Sequence, residues 1–289
     1  MDLSIIIVNF RTYELTKNSI NSILLSNPNF TYNIIIVDNK SDDGSLEKLE
    51  KTFFKEVKNH KIIFIKNNSN MGFAYANNLA IKKSSSKYVL LLNSDTIIKG
   101  DVLNQCLNYI KSYPDVGALG CKVSLTNGEL DKACKRSFPN PINSFYKLFH
   151  IPNKNSDINN YNLDDLDNNG VYEIDCLVGA FMLVKMEVIN QVGLLDEDYF
   201  MYGEDIDWCY RIKESGWKII YFGKSEIIHY KGSSSKKSFK LVYEFHKSMY
   251  IFYKKHYTKK YSVIVNFIVY FGIFFQFIVK LILNLFKTN

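Results

Sequence analysis

Two carboxylates stand directly after apolar runs whose composition is typical of buried strands. Asp38 follows the run 34–37, and Asp95 closes a polar triplet after the run 88–92. A carboxylate at a strand end can accept hydrogen bonds from a base or a ribose. It can also bind a hard divalent cation that bridges a diphosphate. The structural alternative for either segment is a helix cap or a turn.

A glycine loop lies between these two carboxylates. It reads Asn70-Met71-Gly72-Phe73-Ala74 and is followed by Asn77-Asn78. Glycine lets a backbone approach a ligand closely, and asparagine can bond a ribose or a phosphate. The alternative is a glycine turn that only leads into a helix.

Three acidic residues, Glu204, Asp205 and Asp207, cluster where a helix is predicted to begin, and His229 follows 24 residues after Asp205. One of these carboxylates can act as a general base, and the histidine can complete the ligand shell of a cation. In the alternative interpretation the carboxylates complement the positive end of the helix dipole, and the histidine is structural.

Apolar runs and helical stretches alternate at intervals of about 30 residues through the first hundred residues, which predicts an α/β layer. Such strands bind ligands at their carboxyl ends, where these polar groups stand. The predicted strands are 3–8, 34–37, 62–65 and 88–92, and the predicted helices are 14–25, 45–58 and 73–83.

The pattern is less regular after residue 95. A hairpin turn is indicated at Thr126-Asn127-Gly128, and a long loop rich in asparagine and aspartate at 137–169. Helices are predicted at 101–112 and 203–215, and strands at 116–121, 172–176, 180–184, 217–222 and 226–230.

The basic residues are concentrated near the C-terminus. Nine lysines and one glutamate lie between Lys231 and Lys260, although the whole chain carries a net charge of only +7. Aromatic residues and lysines interleave at helical spacing over 239–257, and the uncharged run 263–279 follows. A lysine-rich segment beside an apolar helix favours a membrane as its partner over nucleic acid or simple solvation of the lysines, with the catalytic part at the cytoplasmic face. Whether the run spans the bilayer, lies in its interface or packs against a partner helix stays open.

The five cysteines are irregularly spaced and include no CxxC pair, which favours a reduced cytoplasmic setting over a zinc site or a disulfide framework. The apolar run that follows Met1 is too short and wrongly flanked for an export signal.

Six motifs in fixed order resemble glycosyltransferase family 2, which has the GT-A fold, and especially its rhamnosyltransferase-like members of surface polysaccharide synthesis. The motifs are IIIVNFRT, VDNKSDDGS, NMGFAYANN, LLNSDT, the long segment that contains VGAFMLVKMEVINQVGLLDEDYFMYGEDIDWCYRIKESGW, and HYKGSS. The resemblance implies a Rossmann-like, mostly parallel sheet flanked by helices in a catalytic domain at 1–235. The nucleotide-sugar half would be about 1–100 and the acceptor half about 101–235, with a helical, membrane-associating segment at 236–289.

The same resemblance implies residue roles. Asp205 would be the catalytic base, and Asp95 and His229 would bind Mg²⁺ or Mn²⁺. Asparagine stands at the first position of the family's DxD metal motif, so Asp95 would be the main anionic ligand. The donor site would contain Val8, Asn9, Asp38, Asn70, Gly72, Asn78, Asn93 and Ser94, and the acceptor side Glu204, Trp208 and Arg211.

The reaction so implied is a one-step, inverting transfer of one sugar from a nucleoside-diphosphate sugar to a glycan or a polyprenyl-diphosphate-linked acceptor. Deoxythymidine-diphosphate rhamnose is the first candidate donor, and a uridine-diphosphate hexose or galactofuranose the second. The alternatives are a non-catalytic nucleotide-sugar-binding or scaffold protein, a nucleotidyltransferase, and a processive synthase. The last two are disfavoured, since the chain has neither a glycine- and lysine-rich triphosphate loop near its start nor a QxxRW motif.

Overall fold

The computed structural model describes residues 1–141, 161–231 and 239–285. Its first half is a parallel sheet in the order β3-β2-β1-β4. These strands read as continuous apolar runs because both faces of the sheet are covered, as parallel sheets require. The elements are β1 (Leu3–Asn9), α1 (Tyr13–Leu25), β2 (Tyr32–Asp38), α2 (Ser45–Thr52), α3 (Phe54–Lys58), β3 (Ile62–Lys66), α4 (Phe73–Lys83) and β4 (Tyr88–Asn93).

The second half extends the same sheet in the order β8-β6-β9-β5, with β7 paired to β9. Only β6 and β9 pair in parallel here; β8 is antiparallel to both β4 and β6, and β5 and β7 are antiparallel to β9. The elements are β5 (Thr96–Ile98), α5 (Val102–Ser112), β6 (Val116–Leu125), a 3₁₀ turn (Lys132–Cys134), β7 (Val171–Glu173), β8 (Phe181–Lys185), α6 (Met186–Val192), α7 (Glu204–Glu214), β9 (Lys218–His229), α8 (Phe239–His256) and α9 (Val263–Leu285).

The predicted α/β class, with a central sheet flanked by helices, is confirmed. The parallel character belongs to the first half of the sheet, whereas the sheet beyond β4 is mixed because β8 enters it in the opposite direction. The predicted helix 45–58 is two helices, since the buried Phe53 leaves helical geometry at φ −106° and ψ 31°. The two strands predicted at 217–222 and 226–230 are the single strand β9, which carries a register shift opposite Cys121 and Lys122.

The hairpin turn is confirmed, because Gly128 N–H donates to Leu125 O and the chain returns beside β6. Much of the predicted long loop, 142–160, lies outside the described residues. Its last part is packed on the sheet, where Lys135 Nζ donates to Leu163 O at 2.9 Å and Tyr221 Oη to Asn168 O at 2.7 Å.

The C-terminal helices differ in how they are attached. α8 packs on α7 through a cluster of buried aromatic residues that includes Tyr199, Tyr210 and Phe252. α9 lies outside α8, and among the described residues it is the one helix long and apolar enough to cross a membrane, with a mean hydropathy of 2.0 over Val263–Asn284. The predicted boundary near residue 235 lies outside the described residues.

Candidate active site

The carboxyl ends of β1 and β2 form one buried polar network. Asn9 and Asp38 are register partners, and Asn9 Nδ2 donates to Asp38 Oδ1 at 2.7 Å. Asn9 Oδ1 accepts from Thr12 and Thr16, and the Thr12 hydroxyl oxygen also lies 3.3 Å from Ser94 Oγ. Asn9 is fully buried, and through these bonds it fixes the position of Asp38 relative to the end of β4. Val8 is part-buried and is paired with Asn93 where β1 and β4 run side by side.

A pocket of about 340 Å³ opens beside Asp38. Asp38 is 3% exposed, and its carboxylate accepts hydrogen bonds from both the backbone N–H and the hydroxyl of Ser41. Ligand pockets range from about 300 to 1,000 Å³, so this volume suits a nucleoside fragment. The lining also includes Lys40, Asp42, Gly44, Ser45, Leu46, Glu47 and Lys66.

The glycine loop is tied to two other segments. Asn39 Nδ2 donates to Asn70 Oδ1 at 2.8 Å, which joins the loop to the end of β2. Gly72 has φ +98°, and a Cβ added there would lie 2.3 Å from Phe200 O. Glycine at 72 therefore allows close backbone contact with the segment before α7. In this contact Phe73 N–H donates a hydrogen bond to Phe200 O at 2.8 Å.

Gly72→Ala is expected to destabilise the protein more than Gly128→Ala. Both glycines have positive φ, and forcing another residue into such backbone regions costs about 1–3 kcal/mol. Only Gly72 adds a clash with backbone, since a Cβ at Gly128 meets nothing within 4 Å. Thermal unfolding of the two variants measures the difference, and equal melting temperatures would contradict the Phe200 contact.

Asn78 faces a different neighbour from the one predicted. Its Nδ2 donates to Leu195 O and to Glu197 Oε1, both at 2.8 Å, and its Oδ1 accepts from Leu195 N–H. The side chain is 1% exposed. With its amide occupied by segment 195–197, Asn78 holds that segment in position instead of contacting a donor.

Asp95 and His229 meet at the junction of β4, β5 and β9. His229 Nε2 lies 3.2 Å from Asp95 Oδ1, and the Asn93 amide lies 3.4 Å from the same nitrogen. On the other side of the ring, Nδ1 lies 3.4 Å from Asp131 Oδ2. Burial lowers the pKa of His229, but the hydrogen bonds to Asp131 and Asp95 outweigh it and raise the pKa to about 9.

This group suits a divalent cation that is completed by a substrate. One carboxylate and one imidazole converge. On binding a cation the imidazole would lose its Nε2 proton, and the carboxylate behind the ring would keep the Nδ1 proton in place, as is common for metal-binding histidines. Mg²⁺ usually takes few protein ligands and fills its shell with phosphate oxygens and water. Within the described ranges no group of three or more His, Cys, Asp or Glu side chains is arranged as a ready-made metal cage.

Asp205 lies at the start of α7 and is held by an arginine. Arg136 Nη2 donates to Asp205 Oδ2 at 2.8 Å, and the two side chains are 10% and 13% exposed. Glu204 is more deeply buried, and its Oε2 has no hydrogen-bond partner. Burial, together with the Asp205 carboxylate, raises the pKa of Glu204 to about 8. Glu204 is therefore mostly neutral at neutral pH, and it is buried rather than open to an acceptor.

One short segment links Asp205 to the end of β4. Arg136 also donates to Leu177 O, and Asn93 N–H donates to Ala180 O at 3.2 Å. Leu177 and Ala180 are three residues apart, and three residues span at most about 10 Å. These contacts join the predicted residues at 9, 38, 93–95 and 229, and they connect Asp205 to the end of β4 through Arg136 and the segment 177–180.

Trp208 and Arg211 are not on an acceptor surface, and this corrects the sequence prediction. Trp208 is fully buried, and its indole N–H donates to Gly193 O at 2.9 Å. The Arg211 guanidinium is occupied by Asp207 Oδ2, Val192 O and Leu194 O. Both side chains fix the turn after α6.

Asp131 and Arg136 are site residues that the sequence interpretation missed. Each reaches its partner across a long stretch of chain, 98 residues for Asp131 to His229 and 69 for Arg136 to Asp205. Both residues lie in a polar segment after the hairpin turn that matches no motif. The one sequence signal for this segment is that it follows β6.

The chain belongs to glycosyl transferase family 2, whose model matches residues 4–193. The family match makes the chain a glycosyltransferase, and the predicted family is confirmed.

Two relatives and one solved structure extend this finding. The chain is 27% identical over 185 residues to rhamnosyltransferase WbbL of Escherichia coli K12, covering 61% of this chain and 67% of the relative. It is 24% identical over 233 residues to N-acetylglucosaminyl-diphospho-decaprenol L-rhamnosyltransferase of Mycobacterium tuberculosis, covering 76% and 73%.

The crystal structure of GalNAc-T7 with UDP, GalNAc and Mn²⁺ matches with a TM-score of 0.65 at 13% identity. The match covers 88% of this chain and about half, 48%, of that one. This likeness supports the GT-A fold.

Proposed function

We propose that this chain transfers a single sugar, with inversion, from a nucleoside-diphosphate sugar to a glycan or polyprenyl-diphosphate-linked acceptor. The observation that carries the proposal is the joined arrangement of Asp38, the Asp95–His229 pair and Asp205. A nucleoside pocket, a diphosphate-side cation site and a carboxylate base are the three parts that such a transfer needs.

Each residue of this arrangement has a separate role in the proposed reaction. Asp38 and the pocket beside it bind the nucleoside, and Asn9 and Ser94 keep the two strand ends in register. Asp95 and His229 would hold Mg²⁺ or Mn²⁺, which supplies charge neutralisation for the leaving diphosphate. Asp205, oriented by Arg136, takes the proton from the acceptor hydroxyl. Since the attack is a single displacement, no enzyme nucleophile is required and the anomeric centre inverts.

The names of the relatives support a choice of donor and acceptor. Both are named rhamnosyltransferases, which favours deoxythymidine-diphosphate rhamnose as the donor, with a uridine-diphosphate hexose as the second candidate. The mycobacterial relative is named for a decaprenol-linked substrate, which favours a lipid-linked acceptor at the cytoplasmic face of the membrane.

Donor screening tests the proposal. Nucleotide sugars are added to the protein with Mn²⁺ or with a chelator, and stabilisation is read as a shift in melting temperature. Transfer to a synthetic polyprenyl-diphosphate acceptor is then measured with the best donor. Donor binding without transfer or hydrolysis would favour the alternative of a non-catalytic nucleotide-sugar-binding protein. Consumption of a nucleoside triphosphate would instead indicate a nucleotidyltransferase.

Asp131→Asn is expected to weaken the apparent Mn²⁺ affinity about 10- to 100-fold, the usual effect of removing a carboxylate behind a metal-binding histidine. Asp95→Asn is expected to weaken it at least as much. Titration of Mn²⁺ against donor-dependent stabilisation measures both effects. Asp115→Asn is the matched control, because Asp115 forms only an exposed ion pair with Lys218. An unchanged Mn²⁺ titration in Asp95→Asn would remove this residue from the cation site.

A further inference from the structure

The helices α8 and α9 form an antiparallel hairpin along much of their length. Tyr253 Oη donates to Asn266 Oδ1 at 2.8 Å near the turn, and the rings of Tyr250 and Tyr270 lie 5.2 Å apart one helical turn further. Near the other end, the His246 and Phe277 rings lie 5.4 Å apart. On α8 these contact positions recur at intervals of three and four residues, so one continuous face of α8 lies against α9.

The opposite side of α8 is fastened to the catalytic part of the chain. His256 Nε2 lies 2.7 Å from Asp207 Oδ1, and Lys255 Nζ donates to the same carboxylate oxygen at 2.8 Å. The rings of Phe252 and Tyr210 pack edge to face at 5.8 Å. α8 is thus held between α7 and α9, and α9 runs along the outside of the domain.

The outer face of α9 is exposed and apolar. Its large side chains recur at helical spacing, and their exposed fractions lie between 46% and 73% at Ile264, Phe267, Phe271, Phe274, Phe275 and Ile282. This apolar stripe runs over about five turns, whereas exposed hydrophobic residues on ordinary soluble surfaces occur singly.

We infer that α9 lies in the plane of the membrane interface, with its outer face in the lipid and its C-terminal end on the same side as the catalytic domain. The inference rests on the proposed function only for the identity of the acceptor. It decides between the two possibilities that length and hydropathy alone leave open for this helix, which are crossing the bilayer and lying on it.

Crossing the bilayer is incompatible with the hairpin. If α9 stood upright in the hydrocarbon, α8 would be carried in beside it, together with Lys240, Glu244, Lys247 and Lys254. Charged groups at the bilayer centre are strongly unfavourable. Opening the hairpin instead would break the Tyr253–Asn266 hydrogen bond and the ring contacts of Tyr250 with Tyr270 and of His246 with Phe277.

The positive charge of the hairpin indicates what binds to the outer face of α9. Residues 239–284 contain seven lysines and one glutamate. Among them Lys254, Lys259 and Lys280 are exposed. Lysines that flank an apolar helix face are attracted to anionic lipid headgroups, so the surface fits an anionic membrane.

The hairpin also contacts the segment that leads to the proposed base. Tyr202 and Phe245 are both exposed, and their rings lie 5.9 Å apart, which joins α8 to the segment just before Asp205. Lys240 lies over the Phe200 ring at 3.8 Å. A hairpin held at the membrane would therefore keep the segment before Asp205 attached to it.

Side-specific labelling of the full chain tests the orientation. A cysteine is added after Asn289, and a second variant carries Lys55→Cys on an exposed position of the catalytic domain. The five native cysteines are buried, so their background labelling is low. We expect an impermeant maleimide to label both added cysteines in inverted membrane vesicles and neither in intact spheroplasts. Labelling of the terminal cysteine from the opposite side to Lys55→Cys would show a spanning helix and overturn the inference.

Vesicle binding tests the surface itself. The variant Phe267→Ser, Phe271→Ser, Phe275→Ser is expected to bind phosphatidylglycerol-containing vesicles at least about 10-fold more weakly than the wild type. Phe54→Ser, an exposed residue of α3, is the control and is expected to bind as the wild type does.

Equal wild-type binding to neutral phosphatidylcholine vesicles would contradict the role of the lysines. A lipid-free dimer that is lost in the triple variant, without vesicle binding by the wild type, would assign the face to a second copy of the chain. Donor hydrolysis is measured separately. If topology and vesicle binding hold while no donor is consumed, the proposed function fails and this inference stands.

Discussion

Replacing Asp205 by asparagine is expected to lower turnover about 10²- to 10⁴-fold, the usual contribution of a positioned general base. Asparagine cannot take the proton of the acceptor hydroxyl. Its amide oxygen can still accept the hydrogen bond from Arg136, which lies 2.8 Å from Asp205 Oδ2, so the local geometry is retained. Steady-state transfer assays measure the loss, and donor affinity is expected to stay unchanged because the nucleoside is bound elsewhere.

Two further variants sharpen this test. Glu204→Gln imitates the neutral form that burial favours, since the pKa of Glu204 is raised to about 8, and it separates the two adjacent acids. Glu214→Gln changes an exposed acid at the other end of α7 and controls for loss of helix charge. Near-normal turnover in Asp205→Asn with a large loss in Glu204→Gln would move the base role to Glu204.

Asp207→Asn is expected to lower the free energy of unfolding by about 3–5 kcal/mol, the range for breaking a buried ion pair by removing one partner. Asp207 is fully buried and accepts from Arg211, Lys255 and His256, so its loss leaves several polar groups uncompensated. Chemical denaturation measures the effect. Asp198→Asn, an exposed neighbour, is the control, and equal stability of the two variants would contradict the network.

The Asp207 carboxylate also makes the free energy of unfolding depend on pH. Burial raises the pKa of Asp207, but the hydrogen bond from His256 and the charges of Arg211 and Lys255 outweigh it and hold the pKa at about 2. Because the folded pKa lies below the unfolded one, this stabilisation is present above about pH 4 and is lost as the pH falls towards 2. We therefore expect the stability gap between wild type and Asp207→Asn to narrow over that range, and a constant gap would contradict the shifted pKa.

The first half of the fold was predictable because its signals are local. Four apolar runs become β1 to β4, and the predicted helix 73–83 matches α4, whose limits follow Gly72 and the polar residues after Lys83. β5 could not be predicted, since it has only three residues and its pairing with β9 joins Thr96 to His229 across the chain.

The candidate site was predictable only where motif order sufficed. Asp95 and His229 meet as the motifs suggest, but Asp131 and Arg136 have no motif of their own. The acceptor-side role of Arg211 was predicted wrongly, because residues close together in the sequence of a helix can lie on different faces of it. Positions 205 and 207 point to opposite sides of α7, and Arg211 shares the side of Asp207, which is directed towards α8 and the turn after α6.

The backbone contact between Phe73 and Phe200 has a thermodynamic consequence for how the two substrates influence each other. It connects a loop on the donor side to the segment that leads, five residues later, to Asp205. Ordering of one segment is then expected to favour ordering of the other, and such coupling is reciprocal. If a donor analogue tightens acceptor binding by some factor, the acceptor must tighten binding of that analogue by the same factor. The chain would then favour the ternary complex over a donor exposed to water.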